Sequence, residues 1–196
     1  MATTAPKPLY ITGREDTDRL LNTDPLALLI GMLLDQQVPM EWAFAGPATL
    51  RERLGGRLDA AAIAAMDPDD LLTAAKGPPA IHRFPGSMAK RIQALCAAVV
   101  HEYDGNAANV WNGVASGDEL LARLKSLPGY GDEKARIFVA ILAKRFGVTP
   151  HGWREAAGAF GDDTPRSVAD VHDKDSLAKV RAFKKAKKAA GQTKQD

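Results

Sequence analysis

From Leu26 to Leu34 the chain is apolar on every helical face, which predicts a helix packed on all sides in the centre of the domain. Asp24-Pro25 opens it, the aspartate as a cap for free amides and the proline at a first turn where its missing N–H costs nothing. The run is too short to cross a bilayer, which takes roughly 20 apolar residues. Asp35-Gln36-Gln37 ends the pattern, and Pro39 turns Val38 away from helical angles, so polar side chains emerge where the buried helix stops. Asp67-Pro68-Asp69-Asp70 repeats the cap-plus-proline start for a short helix through Leu71 and Leu72, which Gly77-Pro78-Pro79 ends. After a loop to Gly86, Ser87 is the expected cap of a longer helix. Its apolar positions Ile92, Leu95, Cys96, Val99, Val100 and Tyr103 recur at spacings of three and four, with Lys90, Arg91 and Gln93 facing outward. Ser116 and Glu119 read as a capping box ahead of Leu120, Leu121, Leu124 and Leu127, and a second apolar run extends from Ala135 to Leu142. Leu177 to Lys188 predicts a basic helix, and the polar residues beyond Gly191 lack apolar surface to fold with. No stretch alternates apolar and polar positions for long, and β-branched residues are sparse, so the fold class is all-α.

Composition narrows the chemistry. A chain of 196 residues with 45% hydrophobic content buries a sizeable core. Met1 to Lys7 shows no signal-peptide apolar core, so the expected location is cytoplasmic, and association with the nucleoid follows if the partner is DNA. The single Cys96 lies inside a helical apolar pattern and reads as a buried, inert thiol. One thiol cannot hold an iron–sulfur cluster or a structural zinc, and His82, His101, His151 and His172 lack ligand spacing, so neither metal nor cofactor is expected. The net charge is +2, but residues 176–196 hold seven bases and one acid. The remainder has 19 bases against 23 acids, a net of −4, so any contact with nucleic acid has to be local. The expected organisation is a helical domain over residues 1–175 followed by a basic tail, 176–196.

Leu127-Pro128-Gly129-Tyr130-Gly131 stands between the two Leu-rich and Ala/Ile-rich runs, so two helices meet there at a tight turn. Its glycines open backbone angles that side chains forbid, and the second helix presents unpaired N–H groups at its start, so successive amides can converge on an anion. A backbone-to-phosphate contact of this kind anchors a duplex without reading sequence. The pentapeptide also reads as an ordinary helix C-cap with glycine at C′. Asp132 and Glu133 repel a phosphate, Lys134 partly compensates, and carboxylates suit a helix N-terminus.

With this pentapeptide, the apolar helix after it, the buried helix ending in Gln36-Gln37 and the stretch Pro85-Gly86-Ser87-Met88-Ala89-Lys90-Arg91-Ile92, the chain resembles the helix-hairpin-helix-GPD superfamily of base-excision DNA glycosylases from about Asp24 to about Trp153. The resemblance implies two helical lobes with the catalytic pocket between them, into which the target nucleotide is rotated. It implies that a glutamine fills the space left by the flipped base; Gln37 matches best, with Gln36 one position off. It assigns the hairpin, Leu127, Pro128, Gly129, Tyr130 and Gly131, together with Lys134, to DNA binding.

The family's catalytic aspartate, roughly 20 residues beyond the last hairpin glycine, has no counterpart in Val148-Thr149-Pro150-His151-Gly152-Trp153-Arg154-Glu155. A hairpin helix one turn longer than usual makes Glu155 the candidate acid, with Asp162 and Asp163 farther along; Glu155 also reads as a solvated helix-face residue. Bifunctional members carry a Schiff-base lysine where this chain has Glu133, so no efficient lyase step is expected. The lone cysteine excludes the cluster many members carry, leaving the Lys-rich tail to supply backbone affinity. Trp42, Phe44, Trp111 and Trp153 are candidates to stack on an extruded base, and nothing in the sequence selects among them. The expectation is a monomeric, monofunctional DNA N-glycosylase acting on double-stranded DNA with a damaged or mismatched base. Its alternatives are a non-catalytic lesion- or structure-binding protein on the same fold and a helical protein–protein module.

Overall fold

A computed structural model describes residues 6–193 and 195; the expectations resting on Met1 to Ala5, Lys194 and Asp196 lie outside the described residues. Helix α1 (Glu15–Thr23) runs into Asp24, whose Oδ1 accepts from the N–H groups of Leu26 (2.9 Å) and Ala27 (3.2 Å) and so opens α2 (Pro25–Leu34). Every residue of α2 after Pro25 is buried, as its unbroken apolar run requires. A turn through Asp35 to Pro39 leads to α3 (Met40–Arg53). The two helices approach closely, because a Cβ added at Gly31 would stand 2.7 Å from a ring carbon of Phe44.

Short helices α4 (Ala60–Ala64) and α5 (Pro68–Lys76) then pack on α6 (Pro85–Glu102). Ser87 is not the cap of α6. The helix starts two residues earlier at Pro85, whose fixed φ and missing N–H suit a first turn, and Ser87 is exposed within it. Cys96 is buried in α6, and burial, with the Asp59 carboxylate as the lesser cause, pushes its thiol up to about 12, leaving it protonated and inert.

The second half is built on α7 (Gly117–Ser126), α8 (Asp132–Phe146), α9 (Trp153–Ala157) and α10 (Lys174–Ala189), with 3-10 turns between the last two. Ser116 Oγ accepts from Glu119 N–H (3.1 Å) as the capping box predicts. The reciprocal bond is displaced by one residue, because Glu119 accepts from Ala115 N–H (2.8 Å) rather than from Ser116. Helices α7 and α9 pack on α8, and α2 touches α1, α3, α6 and α8, standing between the two groups. One hydrophobic cluster runs through both. The described residues form helices, turns and no strand, and none of the helices is long and apolar enough to cross a membrane.

The basic segment is not a tail. The boundary expected at residue 175 falls inside α10, which Asp173 caps through Ser176 N–H (2.8 Å) and which buries Ser176, Leu177 and Val180 in the body. Two buried apolar positions at i and i+3 are enough to dock the first half of the helix, and its lysines then continue along the surface.

Candidate nucleic-acid interface

The end of α2, the start of α8 and the second half of α10 surround one cleft of about 710 Å³, a volume in the range of small-molecule pockets. Met32, Met40 and Ile137 give it an apolar floor. Asp35, Glu41 and Glu133 stand against Lys134, Arg181, Lys184 and Lys188 around its mouth.

Gln36 and Gln37 both reach this cleft, but they do different things. The Gln36 amide is braced inside the protein: Nε2 donates to the Leu33 carbonyl (2.8 Å) and Oε1 accepts from Arg91 (2.9 Å). Its expected DNA contact is therefore corrected to a supporting role, since both ends of the amide are already occupied. Gln37 is exposed, and its backbone holds φ +56°, left-handed and uncommon for a residue with a side chain. The turn is fixed by His82, fully buried in the α5–α6 connection, whose Nε2 donates to the Gln36 carbonyl (2.9 Å) while Nδ1 accepts from Phe84 N–H (3.1 Å). Sequence reasoning leaves His82 unassigned; its only signal is a histidine in a loop close to the motif stretch.

In the hairpin, Gly129 takes φ +85° and Gly131 is extended at φ −82°, ψ 177°. Only Gly129 needs the freedom of glycine. A Cβ at Gly131 would meet nothing within 4 Å, so this glycine leaves the approach to the turn open rather than permitting its backbone. Tyr130 N–H is taken by the Leu127 carbonyl (3.1 Å); among the described residues no carbonyl accepts from the N–H of Gly129, Gly131 or Asp132. Leu127 and Tyr130 do not present their side chains to a ligand. Leu127 is buried in the core, and Tyr130, 5% exposed, donates its hydroxyl to the Leu29 carbonyl (2.7 Å), burial raising its pKa well above the ordinary value. Half-buried Pro128 and the two exposed glycines form the accessible part of the turn.

Asp132 is less of an obstacle to an anion than its charge suggests. Arg136 (2.7 Å) and Lys125 (2.9 Å) both bond its carboxylate and hold its pKa below the usual carboxylate range. Lys134 does not reach outward as a phosphate ligand: its ammonium bonds the Leu33 carbonyl, tying the hairpin helix to the C-terminal end of α2.

Glu155 is exposed on α9 and does not line the cleft. Glu133, Lys134 and Ile137 face the cleft, whereas Arg136, about 100° round the helix from Ile137, points to α9 and bonds the Ala156 carbonyl (2.8 Å). The expected acid therefore sits against a different face of α8. Asp162 is also elsewhere, paired with Arg166 (3.0 Å) and accepting from Thr164 N–H (2.8 Å). Of the aromatic candidates, Phe44 is core, Trp111 packs on Phe138, Trp153 lies under Arg154, and Trp42 donates to the Ala80 carbonyl (3.0 Å); none lines the cleft.

Fold and site together define an all-helical protein with a helix-hairpin-helix turn beside a cleft between two helical groups. A family profile described as HhH-GPD superfamily base excision DNA repair protein matches residues 30–196, and the chain belongs to that superfamily. No match is found among curated proteins. Among solved structures, a trapped covalent endonuclease III–DNA intermediate in an estranged-adenine complex is similar at 18% identity and a TM-score of 0.45, over 85% of this chain and 74% of that one. A non-covalent endonuclease III–DNA complex is similar at 18% identity and a TM-score of 0.45, over 85% of this chain and 73% of that one.

Proposed function

We propose that this protein is a monofunctional DNA N-glycosylase that rotates a damaged or mismatched nucleotide out of double-stranded DNA and hydrolyses its glycosidic bond. Free amides of Gly129, Gly131 and Asp132 take a phosphate, Gln37 fills the gap in the duplex, and the extruded base enters the cleft. The bond from C1′ to the base breaks with its electron pair leaving on the base. A water oxygen then adds to C1′ and its proton passes to solvent. A fixed carboxylate beside the cationic sugar lowers the barrier to the first step. Glu133, rather than Glu155, supplies it, because it faces the cleft from the position that the resemblance gives to the sugar-attacking lysine of bifunctional members. A carboxylate there offers charge and no amine, which supports hydrolysis without a lyase step. The observation that carries this reading is that the left-handed Gln37 and Glu133 line one cleft next to the open hairpin amides.

The test is release of free base from duplexes containing uracil, oxidised purines or alkylated bases. Glu133→Gln should lower release by about 100-fold or more while duplex affinity persists, and Glu155→Gln should leave release unchanged. Gly131→Glu should weaken binding to every duplex. Full activity in Glu133→Gln would remove it as the acid. The lack of an aspartate in residues 148–155, where the resemblance places the family's acid, favours a second reading, a lesion- or structure-selective binder without excision, which predicts selective affinity and no product on any substrate.

A further inference from the structure

We propose that His82 is a positioning residue that sets Gln37 for insertion into the duplex. The proposal rests on the reading of Gln37 given above and assigns a role to a buried side chain in the α5–α6 connection, far from that turn in the chain.

Gln37 holds φ +56°, a costly conformation for a residue with a side chain, yet among the described residues it makes no hydrogen bond through its main chain or its amide. Its neighbours impose the turn. On one side, the Pro39 carbonyl is tied into the start of α3 by the N–H groups of Trp42 (3.0 Å) and Ala43 (3.1 Å). On the other, every polar group of Gln36 is engaged. Its N–H donates to the Leu34 carbonyl (2.7 Å), its Nε2 donates to the Leu33 carbonyl (2.8 Å), its Oε1 accepts from Arg91 (2.9 Å), and its carbonyl accepts from His82 Nε2 (2.9 Å). The last of these bears directly on Gln37. The Gln36 carbonyl lies in the peptide plane that ends at the Gln37 nitrogen, so the bond that orients it fixes the plane from which the φ of Gln37 turns.

His82 is itself held firmly. It is 0% exposed, and its ring packs against those of Trp42 (centroids 6.4 Å apart) and Phe84 (6.0 Å). Trp42 Nε1 donates to the Ala80 carbonyl (3.0 Å), which pins the connection to α3. The two partners of the imidazole leave it one tautomer. Phe84 N–H can only donate, so Nδ1 accepts (3.1 Å) and carries no proton; Nε2 then carries the proton and donates to the Gln36 carbonyl. A phenylalanine would fill the same buried space with no polar nitrogen to satisfy, so packing alone does not call for a histidine here. What the imidazole adds is a link between two backbone segments, the α5–α6 connection through Nδ1 and the Gln37 turn through Nε2.

The experiment follows, by stopped-flow fluorescence, the binding of the full-length protein to a duplex that carries a tetrahydrofuran abasic-site analogue with 2-aminopurine as its neighbour. The emission of 2-aminopurine reports stacking beside the gap that Gln37 enters. Gln37→Gly should slow the fluorescence change by about 10-fold or more, and His82→Phe, which keeps a ring and loses both bonds, should slow it comparably. His82→Gln carries an amide nitrogen as many bonds from Cβ as Nε2 and should restore the rate to within about twofold of wild type. His82→Asn has its oxygen at the place of Nδ1, spares only the Phe84 bond, and should stay as slow as His82→Phe. In a Gln37→Gly background, His82→Phe should add less than about twofold, because both changes act through one side chain. A general loss of stability would slow the asparagine and glutamine variants alike and would compound with Gln37→Gly; either result overturns the positioning role, as does a wild-type rate in His82→Phe. A thermal melt checks that each variant is folded, and if His82→Phe is not, the contrast between glutamine and asparagine carries the test alone. If Gln37→Gly is slow while every His82 variant keeps the wild-type rate, the role of His82 falls and the reading of Gln37 stands. A wild-type rate in Gln37→Gly removes both.

Discussion

Gly129 and Gly131 look alike in the pentapeptide, yet the backbone asks different things of them. At φ +85° an alanine in place of Gly129 costs about 1–2 kcal/mol for the left-handed conformation, and its Cβ would stand 3.0 Å from Leu33 Cδ1, so the core neighbour has to give as well. At Gly131 the extended backbone accepts any residue and the space beside it is empty, so alanine there loses only the small advantage of glycine at an N-cap, under about 1 kcal/mol. Gly129→Ala should therefore lower the urea midpoint clearly more than Gly131→Ala, with the m-value unchanged in both. Equal losses would mean that the turn is not held in the left-handed form. The same distinction separates Gln36 from Gln37. Sequence places them side by side, and only the three-dimensional environment, Arg91 on one amide and His82 on the shared turn, makes one a brace and leaves the other exposed.

Helices with a strong local signal were readable in the chain, and those set by distant partners were not. The cap-plus-proline starts of α2 and α5 and the Ser116 cap of α7 are local chemistry, and each appears where its residues predict. Helix α3 carries Pro47 in its interior and has little periodicity, so its length comes from packing on α2 rather than from propensity. The docking of α10 depends on a brace that no local pattern reveals. Lys144 on α8 pairs with Asp170 (2.6 Å), both side chains only 10% exposed, while the other carboxylate oxygen of Asp170 accepts from Ser167 N–H (3.0 Å) and Arg166 N–H (3.0 Å). That carboxylate fixes the turn from which α10 departs. Asp170→Asn leaves the Lys144 ammonium largely buried without a counter-charge, and the expected loss is about 3 kcal/mol, measured by chemical denaturation. A loss below about 1 kcal/mol, the level of an exposed pair, would show that solvent reaches the lysine and that α10 is held by its apolar contacts alone.

Across the whole molecule, the cleft joins segments more than a hundred residues apart, which is why its walls could not be read from the chain while its hairpin could. Carboxylates bound in helix caps and at the α7–α8 contact set the response of the fold to acid. The Asp132 carboxyl is held low by its bonds to Arg136 and Lys125, that of Glu119 by the Ala115 N–H and Arg123, and that of Asp173 by Ser176. In each case the folded chain binds its proton at lower pH than the unfolded chain. Their contribution is therefore complete above the unfolded carboxylate range near pH 4, and it is lost as pH falls through the lowered folded values. The melting temperature should hold steady down to about pH 5 and then decline below about pH 4, with the unfolded state taking up protons first. Asp132→Asn removes one of these groups, so it should start from a lower melting temperature at neutral pH and fall less steeply than wild type on acidification. Parallel curves for the two proteins would mean that Asp132 titrates alike folded and unfolded. Lys125 and Arg136 would then not be neutralising the charge beside the hairpin amides, and a phosphate approaching those amides would meet the full repulsion of the Asp132 carboxylate.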